Sequence, residues 1–413
     1  MRVLLVNLLY EPDLGPSAPL MAMLCEDLVR LGHELTTIAA VPHYPTGRVP
    51  AEYRSRLVQT ELRNGVRVIR VWVPSVNRAR LSRRFLTFLA YQALAAVVGL
   101  RLRYDVVIAT NPALEVFLPY FVLGVLRRKP LIFSVHDIYP DVGVELGIFR
   151  RPILVKAVET LERFCLNHAV FVRVLSDGFQ ERLELKGVPE GRLKVVWDWV
   201  DTDFIRPQSR ANPFSSRWGI DRCFAVMYAG NLGLSQPLER LVEAARLLAG
   251  QDQIRFVFVG EGSGKERLVA AVQSAALSSV SVIPAQTRQL LPQVLASADV
   301  SLVALKRGLS RNSVPSKCYS IMASARPVIA SVDEGSDTWN LVEGARCGLC
   351  VPPEDPDSLA EAIWQLYQNP GLRARLGADG RAYVEEHHSR RVAAAEFDRL
   401  LRAAVDGKER VLE

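Results

Sequence analysis

Two series of short apolar runs, separated by helix-length stretches of mixed polarity, organise this 413-residue chain. The first comprises Val3 to Leu9, Leu35 to Val41, Val68 to Trp72, Val106 to Thr110, Leu131 to Val135, Phe171 to Leu175 and Leu193 to Trp197. Such runs, largely apolar throughout rather than alternating, predict strands buried on both faces, as in a parallel sheet covered by helices. A second series opens at Phe224 to Gly230 and continues through Ile254 to Val259, Val280 to Ile283, Val300 to Ala304, Pro327 to Ala330 and Gly348 to Val351. The same α/β architecture is therefore written twice. Between the series, Arg206 to Arg217 is polar and carries Pro207 and Pro213, which predicts an interdomain linker. The expected organisation is a first doubly wound domain over 1–203, a linker over 204–222, a second domain over 223–385 and a C-terminal helix over 386–413 able to pack back on the first domain.

Both halves open with a strand, a glycine-bearing loop and a helix: Leu5 to Gly15 before Ala18 to Leu31, and Tyr228-Ala-Gly-Asn-Leu-Gly-Leu-Ser235 before Leu238 to Leu248. Such a turn presents backbone N–H groups and a helix N-terminus to an anion, here a phosphate. Neither loop reads G-x-G-x-x-G, and Phe258-Val-Gly-Glu-Gly-Ser-Gly264 is a strand-to-helix turn whose glycines serve either packing or a ligand. His136 follows a buried run, at the strand end where open α/β sheets place ligands; the alternative is a histidine satisfied within the core. Asp137 either orients His136 or an acceptor hydroxyl, or caps the turn before Pro140. Lys317, after Pro315 and Ser316, stands at a predicted helix start, to hold a phosphate or to face solvent. Asp201-Thr-Asp203 has the carboxylate pair of a magnesium site, against which stands a turn at the linker. Cys347-Gly-Leu-Cys350 lacks the second pair that a zinc site needs, and His387-His388 in a charged terminal helix are expected to face water. No Ser-His-Asp arrangement, Walker loop or nucleic-acid module stands out.

Charge narrows the partners: 51 Lys and Arg against 44 Asp and Glu give +7 and a pI near 9.2, which suits phosphates, anionic lipids or nucleic acid. Hydrophobic residues at 49% and a mean hydropathy of +0.11 exclude disorder and a multi-span membrane protein. The six scattered cysteines read as reduced thiols of a cytosolic protein, and the N-terminal apolar run, interrupted by Asn7, reads as a buried strand rather than a signal peptide. Phe85 to Leu100 is apolar but for Thr87 and Gln92, with Arg78, Arg80, Arg83 and Arg84 before it and Arg101 and Arg103 after it. It falls short of the roughly 20 residues that span a bilayer, which leaves an interfacial helix on anionic headgroups or a buried core helix. Phe117 to Leu126 with Arg127-Arg128-Lys129 is a second, weaker element of the same kind.

The motifs, in order, are His136-Asp137, Val200-Asp-Thr-Asp-Phe204, Ala229-Gly-Asn-Leu-Gly233, Val259-Gly-Glu-Gly262, Ala298-Asp-Val300, and Val314-Pro-Ser-Lys317 leading to Met322-Ala323 and Arg326-Pro-Val-Ile-Ala330. Together they resemble the family-four nucleotide-sugar glycosyltransferases of GT-B fold over nearly the whole chain. His43-Tyr44-Pro45 and Pro315-Ser-Lys317 look most like the enzymes of bacterial capsule, O-antigen and colanic-acid assembly. The chain departs from the family twice. The usual pair of glutamates would fall on Asn312 and Ser320, and the basic residues after the second glycine loop fall on Leu232 and Gln236.

The resemblance implies two Rossmann-like domains facing across a cleft, and sugar transfer with retention from a nucleoside diphosphate sugar, UDP-linked, to a hydroxyl of a lipid-linked or polysaccharide acceptor. It implies no cofactor and no metal, with His136, Lys317 and Asn312 as catalytic residues. Donor contacts would come from Gly15, Gly230, Asn231, Gly233, Gly262, Val314, Pro315, Ser316 and Ser320, and acceptor contacts from His43, Tyr44 and Asp137. The partners are the donor, a polyprenyl-linked or saccharide acceptor and an anionic membrane surface, with no nucleic acid; the place is the cytoplasm, peripheral on the inner face of the plasma membrane. Two alternatives stand beside this: a sugar-nucleotide epimerase of the same fold, and a catalytically weak subunit that only binds nucleotide. A dinucleotide-dependent dehydrogenase is disfavoured by the missing fingerprint.

Overall fold

The computed structural model describes residues 1–13, 15, 17–44, 46–76, 81–311 and 314–412. The chain divides into two compact units, Met1–Asp198 with Arg390–Glu413, and Trp199–Ser389.

Among the described residues the first unit is built on an eight-stranded sheet: β1 (Arg2–Val6), β2 (Glu34–Ala40), β3 (Val58–Arg63), β4 (Val66–Val71), β5 (Val106–Thr110), β6 (Leu131–Ser134), β7 (Phe171–Val174) and β8 (Leu193–Val195), in the order β3-β4-β2-β1-β5-β6-β7-β8. All pairings are parallel except β3 with β4. Each apolar run of the first series is a strand, because central strands roofed by helices such as α1 (Ser17–Arg30), α2 (Leu81–Gly99) and α3 (Ala113–Tyr120) bury both faces. The strand that sequence patterning missed is β3. It runs Val-Gln-Thr-Glu-Leu-Arg at the sheet edge with no fully buried residue, and joins β4 through Asn64-Gly65, both at positive φ as a tight hairpin requires.

The helix Arg390–Leu412 belongs to this unit. Arg390 pairs with Asp27 at 2.6 Å and Glu26 at 3.3 Å on α1, and buried His33 meets Asp398 at 2.6 Å.

In the second unit β9 (Phe224–Ala229), β10 (Ile254–Val259), β11 (Val280–Ile283), β12 (Val300–Ala304), β13 (Val328–Ser331) and β14 (Gly348–Val351) pair in parallel in the order β11-β10-β9-β12-β13-β14. Residues 204–222, read from sequence as a linker, lie in this unit and are pinned to it. Arg210 pairs with Asp299 at 2.6 Å and donates to the carbonyls of Ile220 and Asp221. Asn212 caps the helix Pro213–Arg217 and also donates to Ser297 Oγ at 2.9 Å. Polar composition marks a loop but does not say that its polar groups are spent on the protein.

His388 departs from expectation in the same way. It is 3% exposed, with its ring 4.8 Å from Tyr319 and its carbonyl accepting the Val200 N–H, whereas His387 is open to solvent. The helix Pro370–His387 ends there: Glu385 to His387 stay exposed, and the capping residue His388 is the one that is buried.

Candidate functional site

In the second unit β9 runs out into Gly230, whose φ of 142° lies in the region that favours glycine. The loops after β9 and β10 pack backbone on backbone: the Leu232 N–H donates to Glu261 O at 2.9 Å and the Gly264 N–H to Leu232 O at 2.7 Å. A Cβ at Gly260 would stand 1.9 Å from Gly230 O, and one at Gly262 2.3 Å from Leu232 O, so glycine at these positions serves packing. The two positions where family resemblance would place cations are accounted for. Leu232 is fully buried in the core, and buried Gln236 accepts the Gly233 N–H at 2.9 Å, clipping the loop shut.

A cation does reach this loop, from elsewhere in the chain. Lys317 is the first residue of the helix Lys317–Ala323; its Nζ donates to the Tyr228 hydroxyl and lies 3.9 Å from the Tyr228 ring centroid. The same Nζ is 3.5 Å from where a Cβ on Gly230 would stand, which puts the ammonium directly at the glycine loop. Among the described residues no carboxylate pairs with it; its neighbours are a phenol and a ring face. Desolvation without an offsetting anion therefore lowers its pKa to about 7, while burial pushes the Tyr228 phenol upward. Ser320 is half-buried on the same short helix, Val314 is buried, and Ser316 is exposed at the helix start. Asn312 lies outside the described residues.

In the first unit His136 follows β6. Its backbone N–H donates to Asn111 Oδ1 at 2.8 Å, and Asn111 Nδ2 donates to the Asp137 carbonyl at 2.5 Å, so one amide at the end of β5 holds the His136-Asp137 turn. The ring lies 3.3 Å from Ser134 Oγ through Nε2 and 3.9 Å from Asp198 through Nδ1. Beneath it, fully buried Arg173 pairs with Asp198 at 2.7 Å and donates to Val196 O at 2.6 Å. Burial lowers the His136 pKa to about 4; Asp198 opposes the shift and Arg173 adds to it, so the imidazole is neutral near pH 7. A neutral imidazole is suited to hydrogen-bonding a sugar hydroxyl.

A second cluster of this unit holds His43 and Tyr44, whereas Gly15 packs on Leu9, where a Cβ would stand 2.2 Å from Leu9 Cδ1. The carboxylate of Asp13, in the loop after β1, accepts the N–H groups of His43 at 3.1 Å and Tyr44 at 3.0 Å. Buried Arg70 braces that loop, donating to Tyr10 O at 3.0 Å while pairing with Glu61 at 2.9 Å. Asp13, Asn111, the Arg173–Asp198 pair and Tyr228 were not picked out from sequence. Only Arg173 carried a usable signal, a charge inside a buried run, which demands a partner.

Asp201 Oδ1 accepts the N–H groups of Asp203 at 3.1 Å and Phe204 at 2.9 Å, so its carboxylate caps a turn. Among the described residues no cluster of three or more His, Cys, Asp or Glu is arranged to hold a metal ion.

The two units match two sequence families: residues 17–199 fit the glycosyl transferase 4-like domain, and residues 223–369 fit glycosyl transferases group 1. The chain is 26% identical over 381 residues to Escherichia coli (strain K12) WcaI, named as a candidate glycosyl transferase of colanic acid biosynthesis, covering 90% of this chain and 93% of that one. It is 28% identical over 392 residues to a GDP-mannose-dependent alpha-mannosyltransferase of Mycobacterium tuberculosis (strain CDC 1551 / Oshkosh), covering 92% and 93%. In structure it resembles Anabaena Alr3699/HepE in complex with UDP and glucose, with a TM-score of 0.73 at 16% identity over 98% of this chain and 100% of that one. Two largely parallel-sheet units of this kind make the GT-B fold. With both halves matched and relatives in surface-polysaccharide assembly, the chain belongs to family four of the glycosyltransferases.

Proposed function

We propose that this glycosyltransferase moves a hexose from a UDP-linked donor to a hydroxyl of a lipid-linked or saccharide acceptor, with retention of anomeric configuration and without a metal ion. The observation that carries the reading is Lys317: an ammonium with no carboxylate partner among the described residues, set against a glycine loop, is a receptor for a diphosphate. Breaking the glycosidic bond leaves negative charge on the departing diphosphate and an oxocarbenium-like sugar. A fixed cation and backbone N–H groups stabilise the first without a strong general base. His136, neutral and held through Asn111, is assigned to a sugar hydroxyl of the donor; Asp13, His43 and Tyr44 frame the acceptor side.

Uridine as the base is supported by the complex of the structural neighbour with UDP and glucose, while the mannosyltransferase relative makes GDP the competitor to test. The epimerase alternative is dropped, because the relatives are transferases. Titration with UDP, GDP and their sugars, followed by nucleotide release with and without a saccharide acceptor, tests the reading. Acceptor-dependent release from a UDP-sugar supports it. Tighter binding of GDP would correct the base, and binding with no release under any acceptor would leave a nucleotide-binding subunit.

A further inference from the structure

The helix α2 has two apolar faces, and only one of them is used. Phe88, Tyr91, Ala95 and Ala96 are buried against the sheet and α3, with Gln92 donating to Leu114 O and accepting the Leu118 N–H. The opposite side carries Phe85, Leu86, Leu89, Val97 and Leu100, each 42–57% exposed. With exposed Ala93 between them, Leu86, Leu89, Val97 and Leu100 follow one another at steps of three to four residues, a stripe that runs the length of the helix and just past its end. The sequence alternatives of core helix and interfacial helix are thus combined in one element. On the neighbouring segment, Leu118 and Leu126 are exposed as well, the latter at 62%.

The charge around this stripe is one-sided. Residues 62–104 contain nine arginines and no Asp or Glu. Arg83 precedes the stripe; Arg101 and Arg103 follow it, all exposed, and Arg128 with Lys129 closes the adjoining turn. Arg127 is bent back onto the carbonyls that end the helix, Gly99, Leu100 and Leu102, which holds that basic turn against the end of α2. A solvated helix needs no such stripe, and a protein partner would be expected to answer it with mixed charge. Among the described residues no helix is long and apolar enough to cross a membrane. Apolar side chains flanked at both ends by cations, on a helix too short to span, fit a surface whose interior is hydrocarbon and whose headgroups are anionic.

We propose that α2 is a membrane-docking element that lies in the plane of an anionic bilayer, with Phe85, Leu86, Leu89, Val97 and Leu100 immersed at the acyl boundary and the flanking arginines on lipid phosphates. The inference goes beyond the proposed reaction and does not depend on it, since binding is read without turnover. The probe is a vesicle of phosphatidylglycerol and phosphatidylcholine, co-sedimented with the full chain and compared with pure phosphatidylcholine. Wild type should bind the anionic vesicles at least tenfold more tightly, with affinity falling as salt is raised.

Leu89→Ser with Val97→Ser should weaken binding to anionic vesicles about tenfold or more while leaving its salt dependence intact. Arg83→Gln with Arg101→Gln should weaken it by roughly 10- to 30-fold and flatten the salt dependence. All four positions are exposed, and an unchanged denaturant-unfolding midpoint of the full chain will show that each variant is folded. Equal binding to neutral and anionic vesicles, or variants that bind like wild type, would overturn the proposal. So would a concentration-dependent dimer, seen by sedimentation equilibrium, that Leu89→Ser dissociates, because the stripe would then be covered by a second copy.

Discussion

His136 and Lys317 are both bases whose protonation the protein suppresses, yet they are suppressed in different company. Around His136 the first unit supplies a carboxylate, a guanidinium, a hydroxyl and an amide, so the ring is a satisfied member of a network. Around Lys317 the described residues of the second unit supply a phenol and its ring. The network fixes His136 in a neutral form that no modest change of pH disturbs. Among the described residues no anion holds the Lys317 ammonium charged, and in the proposed reading a bound diphosphate supplies one. Positioning and electrostatic work are thereby assigned to different units, and each assignment can be broken separately.

The largest expected effect lies in the network. Asp198→Ala strips the fully buried Arg173 of its carboxylate, and breaking a buried pair costs about 3–5 kcal/mol. Denaturant unfolding should show that loss in the first unit, with UDP affinity measured below the transition unchanged. A loss under about 1 kcal/mol would mean that solvent or other groups already satisfy Arg173. The milder Asp198→Asn should keep the fold and lower the His136 pKa further below 4, because Asp198 is the group that raises it. Imidazole titration by NMR reads this directly, and in wild type it should show no His136 transition near pH 6.5.

Next comes Lys317→Ala. A charge-assisted hydrogen bond to phosphate is worth roughly 1.5–3 kcal/mol, so UDP should bind about 10- to 150-fold more weakly and UMP should lose less. Calorimetry with both nucleotides decides it: an unchanged ratio of affinities in a folded protein removes Lys317 from the diphosphate site. The variant should also be more stable than wild type near neutral pH, since a desolvated ammonium is lost. A residue that opposes folding yet supports binding is what a functional lysine looks like.

The fold was legible because buried strands need unbroken apolar runs, and each run predicted in either half is a strand. What escaped was edge or anchor. β3 is too polar and too exposed to leave an apolar run, and Arg210 with Asn212 turned an apparent linker into part of a packed unit. Of the candidate site, single residues were legible and their partners were not. Sequence pointed to Lys317 once Leu232 and Gln236 failed to supply the cations, but not to Tyr228, since a tyrosine inside a strand looks like core. Asp13 and Asn111 act through backbone N–H and C=O groups of residues far along the chain, 30 positions away for His43 and 25 for His136, a relation that no local pattern encodes.

The comparison is sharpened further through pH. Lys317 titrates near 7 in the folded chain and near 10.5 when unfolded, so the unfolded state holds more protons between those values and stability should rise with pH across that window. Saturating UDP, which restores the charge, should remove that rise, and Lys317→Met should lack it altogether. The same linkage makes UDP binding at pH 8.5 take up close to one proton, visible as a binding enthalpy that follows the ionisation enthalpy of the buffer. At pH 6 the uptake should vanish. A buffer-independent enthalpy at pH 8.5 would mean that the ammonium is already charged before the nucleotide arrives.

The smallest expected effect is that of removing divalent ions. Asp201 spends its carboxylate on the N–H groups of Asp203 and Phe204, and Arg381 holds the same turn through the carbonyls of Thr202 and Ile205. Recruiting this pair to a magnesium ion would cost the turn its cap, whereas in the proposed reading Lys317 supplies the positive charge, taking up a proton as the diphosphate binds. Transfer assayed after exhaustive chelation should therefore persist within a few-fold of the untreated rate. The contrast is sharpest in Lys317→Ala, where a metal ion could replace the missing charge: residual activity that magnesium restores in the variant alone would show that the lysine does the work a cation does in a metal-dependent enzyme. Complete loss in wild type, restored by magnesium or manganese, would instead place a metal ion beside the diphosphate and leave Lys317 a supporting role.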